Sequence, residues 1–441
     1  MVAGAVSCQS YNDRVAGAVD AYRRGNFELA EQRFQDESMT GSAFLSGAEA
    51  GMSAFSDGRF EDALGHFQAA ERATKDVEER AALGVTNLTE SLLTLAVNES
   101  QADYPGEGFE RVMVHVMLGL CYLTRGQPDE VLVEARRVDE ILTGEHDLYG
   151  SDYGAGGVGH FLSAMAYELV GKTGDAYIDY VRMHEKGVGG DLVRRSLQRL
   201  ARREGRANEL ERWNSEFGGE GPEVPYGWPT VVVIGGMGMG PTKLETKIDV
   251  PVKGGVFSWA VPKFDGGSGN ISALELIFPE SGTRIRSSVI EDVAAVAGEN
   301  LDDRIAWLAA RSAGRGLLKR QLADQMRDNK NGQVLGLLAD AFTVFSERAD
   351  LRAWRTLPRL WVAARAFVPP DEFVDIELGE VGGETVSLGR FRMLEGETMF
   401  VIARSTDGGL VAHVIGGERE DPPIQSPSTQ GPQTPSPNSG L

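Results

Sequence analysis

The sequence predicts an α+β multidomain chain, with an N-terminal TPR-like α-solenoid and then a mixed β-rich domain carrying a helical insertion. Three observations predict it. A glycine-centred motif recurs at close to the 34-residue period of tetratricopeptide helix pairs. Composition turns over sharply after Gly218. Short β-branched and alternating segments then fill much of the remainder.

Tyr22, Gly25, Phe27, Ala30 and Phe34 form the first copy of the motif. Phe55, Gly58, Phe60, Ala63 and Phe67 repeat it 33 residues later, and weaker copies centre on Gly126 and Gly171. The glycine suits a left-handed helix end, where a missing Cβ removes the steric penalty. Ala30, Ala63, Val131 and Ala176 fall where the two helices of a pair come closest. Gly51, Gly119 and Ala164 fill the matching slot on the first helices. A fifth, degenerate pair is expected over 191–217, around Gly205. The solenoid is therefore read over 11–218, interrupted after a helix at 78–98 by Tyr104–Gly108.

Gly218–Pro222 reads as a linker into an α+β domain over 222–416. Strands are expected at Thr230–Ile234, Lys243–Val252, Gly255–Pro262 and Leu274–Phe278, within 230–280. A helical insertion over 288–346 follows, opened by a capping box at Ser288–Glu291 and continuing with helices at Leu301–Arg327 and Val334–Phe345. Strands return within 360–415, at Leu360–Phe367, Phe373–Leu378, Thr385–Leu388, Met399–Ala403 and Gly409–Ile415. Residues 417–441 are Pro- and Ser-rich with almost no apolar content and read as a disordered tail.

The net charge of −21 argues against nucleic acid as a partner. No apolar run reaches membrane-spanning length. Of two cysteines, Cys121 reads as a core thiol within a repeat helix. Cys8 follows Ala5-Val6-Ser7 as in a bacterial lipobox, so residues 1–10 read as a lipid-attachment segment that tethers the chain to a membrane. The alternative is a cytoplasmic protein with an incidental cysteine.

Few motifs carry chemistry. Gly235–Gly240 lacks the G-x-G-x-x-G spacing and runs into Pro241, so it reads as a glycine-rich hairpin loop with exposed methionines. Glu145, His146, Asp147 and Asp152 share a short polar loop, a weak cation-site pattern. No nucleophile elbow or Walker sequence occurs. The chain is expected not to be an enzyme, and no cofactor, metal or catalytic residue is assigned. An enzyme with a site assembled across domains is a more remote alternative. Seven arginines between Arg194 and Arg212 would suit anionic headgroups, an acidic partner or the protein's own acids.

In TPR-like pairs the first helices line the groove. That assigns Leu45, Met52, Phe55, Val116, Leu120, Leu123, Phe161, Met165 and Leu169 to it. The stripe is apolar, so its occupant is either a segment of this chain or an external helix. Arg352, Trp354 and Arg355 are the interface candidates outside the repeats, being types that anchor contacts. Their structural alternative is a junction between the insertion and the final sheet.

Five stretches are similar to a poorly characterised bacterial lipoprotein family: Tyr104–Val112, Glu134–Glu140, Phe161–Glu168, Asp175–Tyr180 and Ala349–Pro358. The resemblance covers most of residues 100–370. It implies a lipid-anchored protein on the periplasmic face of a Gram-negative outer membrane, with no assigned activity. Members neighbour cell-wall synthesis activator lipoproteins in gene order, which implies an envelope-assembly role. The expected function is a non-enzymatic scaffold or subunit of such an assembly, with protein partners, a membrane anchor at Cys8 and room for a homo-oligomer. The second reading is an envelope lipoprotein binding a glycan or peptidoglycan fragment through an aromatic platform among Tyr226, Trp228, Phe257 and Trp259.

Overall fold

The computed structural model describes residues 10–83, 103–150, 155–252, 255–312 and 350–420. Cys8, Asp152, Val334–Phe345 and the tail beyond residue 420 lie outside them, as do the later parts of the helices read over 78–98 and Leu301–Arg327. The described chain is mixed α and β, helices first and sheets after.

Five helical hairpins occupy the first half. They are α1 (Tyr11–Arg23) with α2 (Phe27–Phe34), and α4 (Ala43–Ser56) with α5 (Phe60–Leu83), the one-turn α3 (Glu37–Thr40) lying between. Then come α6 (Gly108–Thr124) with α7 (Pro128–Tyr149), α8 (Gly157–Leu169) with α9 (Thr173–Glu185), and α10 (Gly190–Arg203) with α11 (Ala207–Phe217). Each hairpin turns on a glycine that the spacing singled out. Gly25, Gly58, Gly126, Gly171 and Gly205 all have φ between +66° and +79°. In each, the next residue donates its N–H five residues back, as Asn26 does to the Ala21 carbonyl at 2.9 Å, which closes the helix end. Ala30, Ala63, Val131 and Ala176 are fully buried.

Gly58 is constrained twice. Its φ is +79°, and a Cβ there would sit 2.6 Å from the His413 ring on the last long strand. Gly25 has the same φ with nothing near it. Gly58→Ala is therefore expected to destabilise by about 1–3 kcal/mol more than Gly25→Ala. Paired urea melts check this, and equal midpoints would refute it.

The second half forms two five-stranded sheets and a two-stranded ribbon. One sheet has the order β11 (Gly409–Ile415), β10 (Thr398–Thr406), β1 (Thr230–Met237), β7 (Leu360–Phe367), β6 (Ser288–Asp292). Its β1–β10 pair is parallel and the others antiparallel. The other sheet has the order β12 (Glu418–Arg419), β9 (Thr385–Arg392), β8 (Phe373–Glu380), β4 (Leu274–Phe278), β5 (Thr283–Arg286). The ribbon is β2 (Lys243–Val252) with β3 (Gly255–Phe264). The helix α12 (Val293–Ser312) follows β6.

Strand alternation builds three layers. Val231, Val233, Val362, Ala364, Val401 and Ala403 face the second sheet and pack on Leu274, Leu276, Ile376 and Leu378. The intervening Val232, Ile234, Trp361, Ala363, Phe400 and Ile402 face the helices and share one hydrophobic core with them. Continuously apolar strands such as TVVVI are what a sheet covered on both faces requires.

Several expectations are corrected. Ser288–Glu291 does not open a helix; it is β6, and the helix starts at Val293. Glu291 nevertheless caps a helix, receiving the Gly156 and Val158 N–H groups of α8 at 3.0 and 2.9 Å. The signature was correct about the carboxylate and wrong about which helix it serves. Gly235 and Gly236 lie inside β1, not in a hairpin loop, and Met237 and Met239 are buried. A Cβ at Gly235 would come 2.6 Å from Leu274, so close sheet packing explains the glycine. Glu145, His146 and Asp147 belong to α7, and Glu145 is buried against Arg111 and Asn300. Glu418 and Arg419, expected in the tail, pair with β9.

Candidate functional site

The apolar stripe on the first helices is buried, apart from Leu169, in one hydrophobic core that includes residues of the chain's second half. Leu45, Met52, Phe55, Val116, Leu120, Leu123, Phe161 and Met165 are each at most 3 % exposed, whereas Leu169 is 40 % exposed. The occupant is partly the extended stretch from Asp350 to Pro358. Trp354, 1 % exposed, packs its ring against Phe44 of α4 and Phe67 of α5. Arg352 clasps Asp350, with Nη2 to Oδ2 at 2.7 Å, and Arg355 donates to the Asn12 side chain at 2.8 Å. All three interface candidates thus make contacts within the chain, and Trp354 is closed to an external partner.

A recurring device holds the halves together. The first helices of the second, third and fourth hairpins each embed one glutamate in their apolar face. Glu110 of α6 accepts the Trp354 N–H at 2.7 Å, and Glu49 of α4 accepts the Arg355 and Thr356 N–H groups at 2.6 and 3.0 Å. Two carboxylates so grip three consecutive amides. Glu168 of α8 pairs with Arg365 of β7 at 3.0 Å and with Arg199 of α10 at 2.7 Å. In the first hairpin Tyr22 takes this place, its hydroxyl accepting from Arg404 of β10 at 2.8 Å.

The environments of these carboxyls differ. Burial pushes Glu49 up to about 7, despite the hydrogen bonds it accepts. Burial also pushes Glu110 up to about 7. Burial alone would raise Glu168 as well, but the Arg199 and Arg365 guanidiniums outweigh it and hold that carboxyl at about 2. Raised groups contribute stability that is present below the ordinary carboxylate range and lost as pH climbs through 7. The depressed group contributes stability present above pH ~4.5 and lost as pH falls towards 2. For these groups stability should peak near pH 5, with Glu49 and Glu110 each withdrawing on the order of 3 kcal/mol by pH 8. Glu49→Gln should flatten the alkaline side of a melting-temperature profile; an unchanged slope would refute the assignment.

An open cleft begins where this network ends. A cavity of about 600 Å³ is lined by Met165, Glu168 and Leu169 of α8, by Arg199, Arg202 and Arg203 of α10, and by residues 223–228. β1, β7 and β10 close its other wall. A second cavity of about 420 Å³ continues past Arg199, Pro225 and Trp228 to Arg195 and to Arg284 and Arg286 of β5. Arg203 lies over the Tyr226 ring at 5.4 Å and Arg199 over Phe367 at 5.5 Å. Tyr226 is 83 % exposed. Arg195, Arg202, Arg203 and Arg286 have no acid within ion-pair distance among the described residues, whereas Arg194, Arg206 and Arg212 do.

The cleft gathers pieces that the sequence had separated. Met165 and Leu169 come from the groove stripe, and Arg195, Arg199, Arg202 and Arg203 from the arginine run. Tyr226 and Trp228 come from the aromatic platform; Phe257 and Trp259 belong to β3. Arg284, Arg286, Arg365 and Phe367 were missed, since strand residues far apart in sequence carry no local signal of meeting. The three gripping glutamates did leave one, a lone carboxylate within an apolar helix such as AFLSGAEAGMSAF. Comparison with protein-family models and with curated proteins finds no match for this chain.

Proposed function

We propose that the chain is a non-enzymatic scaffold whose recognition site is the arginine-lined cleft and whose partner is an acidic protein segment. Four arginines without acidic partners around one cleft, on a chain of net charge −21, are the observation that carries this reading. An acidic protein gains nothing by collecting unpaired guanidiniums in a recess unless an anion enters it. Arginine offers that anion a planar fork matched to carboxylates. The helical half is read as a TPR-like solenoid, supported by the five glycine-turned hairpins. Part of its usual groove is committed to residues 350–358, so we place external recognition at the cleft.

The setting we propose is an envelope assembly, with the chain tethered through a lipid on Cys8. The Ala5-Val6-Ser7-Cys8 sequence and the lipoprotein resemblance support it. Mass analysis of Cys8 in protein recovered from membranes tests this. An unmodified thiol in the soluble fraction returns the cytoplasmic alternative.

Titration of the full chain with labelled polyglutamate tests the cleft. Binding should weaken steeply with salt. Charge reversal at Arg195, Arg202 and Arg203 together should reduce affinity at least tenfold, with little change in melting temperature because these side chains pair with no acid. Equal binding by the variant would overturn the reading. Tyr226 at the rim favours a second reading, a glycan fragment stacked on that ring. Salt-insensitive binding of a neutral oligosaccharide would select it.

A further inference from the structure

The cleft contains an open strand edge. On one side β7 is paired with β1 along its whole length, from Leu360 opposite Met237 to Phe367 opposite Thr230. On the other side its pairing with β6 stops where Ser288 meets Ala363. The chain leaves that sheet at Ser287, whose N–H bonds to Leu274 of the opposite sheet at 2.8 Å. Among the described residues, positions 364–367 of β7 therefore have a strand neighbour on one side only, and those four residues help to line the 420 Å³ cavity.

The direction of the free groups follows from phase. In antiparallel pairing, residues alternate between bonding their partner strand and pointing away from it. The Val368 N–H donates to the Pro229 carbonyl at 3.1 Å. Ala366 and Ala364, two and four residues before it, are thus the positions that bond β1. The main-chain groups of Arg365 and Phe367 point to the open side.

The flanks of that opening are basic on both faces. α10 supplies Arg195 and Arg199 on the helix side, and β5 supplies Arg284 and Arg286 on the sandwich side. With Arg365, five arginines line the cavity against two acids, Asp191 and Glu223; Glu168 pairs with Arg199 and Arg365, and Glu275 with Arg284, so Arg195 on one face and Arg286 on the other are the ones without an acid among the described residues. A strand placed there would send successive side chains alternately to the two faces, and both faces favour a carboxylate. At about 3.3 Å per residue, the open stretch accommodates roughly four residues.

We infer that the acidic partner proposed above enters as an extended peptide that adds to β7 beyond Ala363, continuing the line of β6. Its main chain bonds Arg365 and Phe367, and a run of consecutive acidic side chains meets Arg195 and Arg199 on one face and Arg286 on the other. Main-chain pairing supplies affinity and the arginines supply selection. The inference rests on the cleft's taking an acidic protein segment, and adds the conformation in which it binds.

The test uses the full chain and capped, labelled hexaglutamate, followed by fluorescence anisotropy. Two further hexaglutamates carry N-methyl groups at odd or at even positions. In a strand only alternate amides face the receiving edge, so one methylated peptide should lose at least tenfold in affinity and the other little. Hydrogen exchange at the Arg365 and Phe367 amides should slow when unmodified hexaglutamate is added. If both methylated peptides bind as well as the parent, strand addition is overturned while acidic recognition stands. Strand addition is equally overturned if tripolyphosphate competes as effectively as hexaglutamate, since the cleft would then read charge alone. No binding of hexaglutamate would overturn both readings.

Discussion

Replacing Glu168 by alanine is expected to destabilise the chain by about 3–5 kcal/mol, because it leaves two guanidiniums buried without their counter-charge. Arg365 has a side chain 5 % exposed and Arg199 one 12 % exposed, and both depend on this one carboxylate for charge neutralisation. Tyr180 adds weight, since its hydroxyl donates to Glu168 at 2.9 Å and accepts from Arg365 at 2.9 Å. The double variant Glu168→Leu with Arg365→Met should recover part of the loss, as it strands one buried guanidinium, Arg199, instead of two. Urea unfolding of the two variants checks this. A double variant no more stable than Glu168→Ala would show that packing, not charge, dominates there. The same pair also closes the inner end of the cleft, so Glu168→Ala should disturb ligand binding as well as stability.

Trp354→Ala carries the second large effect, again about 3–5 kcal/mol. The ring is 1 % exposed, meets Phe44 edge-on with centroids 6.5 Å apart, and lies 5.9 Å from Phe67. Its loss leaves a void against the second hairpin, whose two helices have few ways to collapse, since Gly47 and Gly51 already bring α4 close against α5. Trp354→Phe should cost distinctly less. Calorimetry of both variants decides it; equal melting temperatures for wild type and Trp354→Ala would mean that the segment contributes little to the core.

The sequence showed this fold where local physics sets it. Hairpin glycines are demanded by a left-handed backbone, and Gly25 to Gly205 could be picked out by spacing alone. β4, β7 and β11 begin and end where their patterns do, because apolar runs bounded by Gly, Pro or Ser leave little choice. β5 and β6 were hidden because Thr283–Asp292 is short, charged and carries a capping-box spacing, and only the sheets around it make it a strand. The cleft was half legible. Its helix-borne arginines were visible as a run, but Arg365 looked like one charge in an apolar strand until Glu168 and Arg199 were seen beside it.

The parallel pairing of β1 with β10 joins Thr230 to Thr398, and Trp354, Arg365 and Arg404 are needed to complete what the first 217 residues begin. During synthesis the hairpins therefore emerge well before the segment that covers them. At ~5–20 residues per second, about 7–30 s separates the end of the last hairpin from the arrival of Thr356. Through that interval the core that Leu45, Met52, Val116, Leu120 and Phe161 share lacks its second-half members, Trp354, Trp361 and Phe400 among them. The newborn chain consequently presents a long apolar strip to the cell, and its yield should depend on chaperone capacity and translation speed more than the stability of the finished protein would indicate.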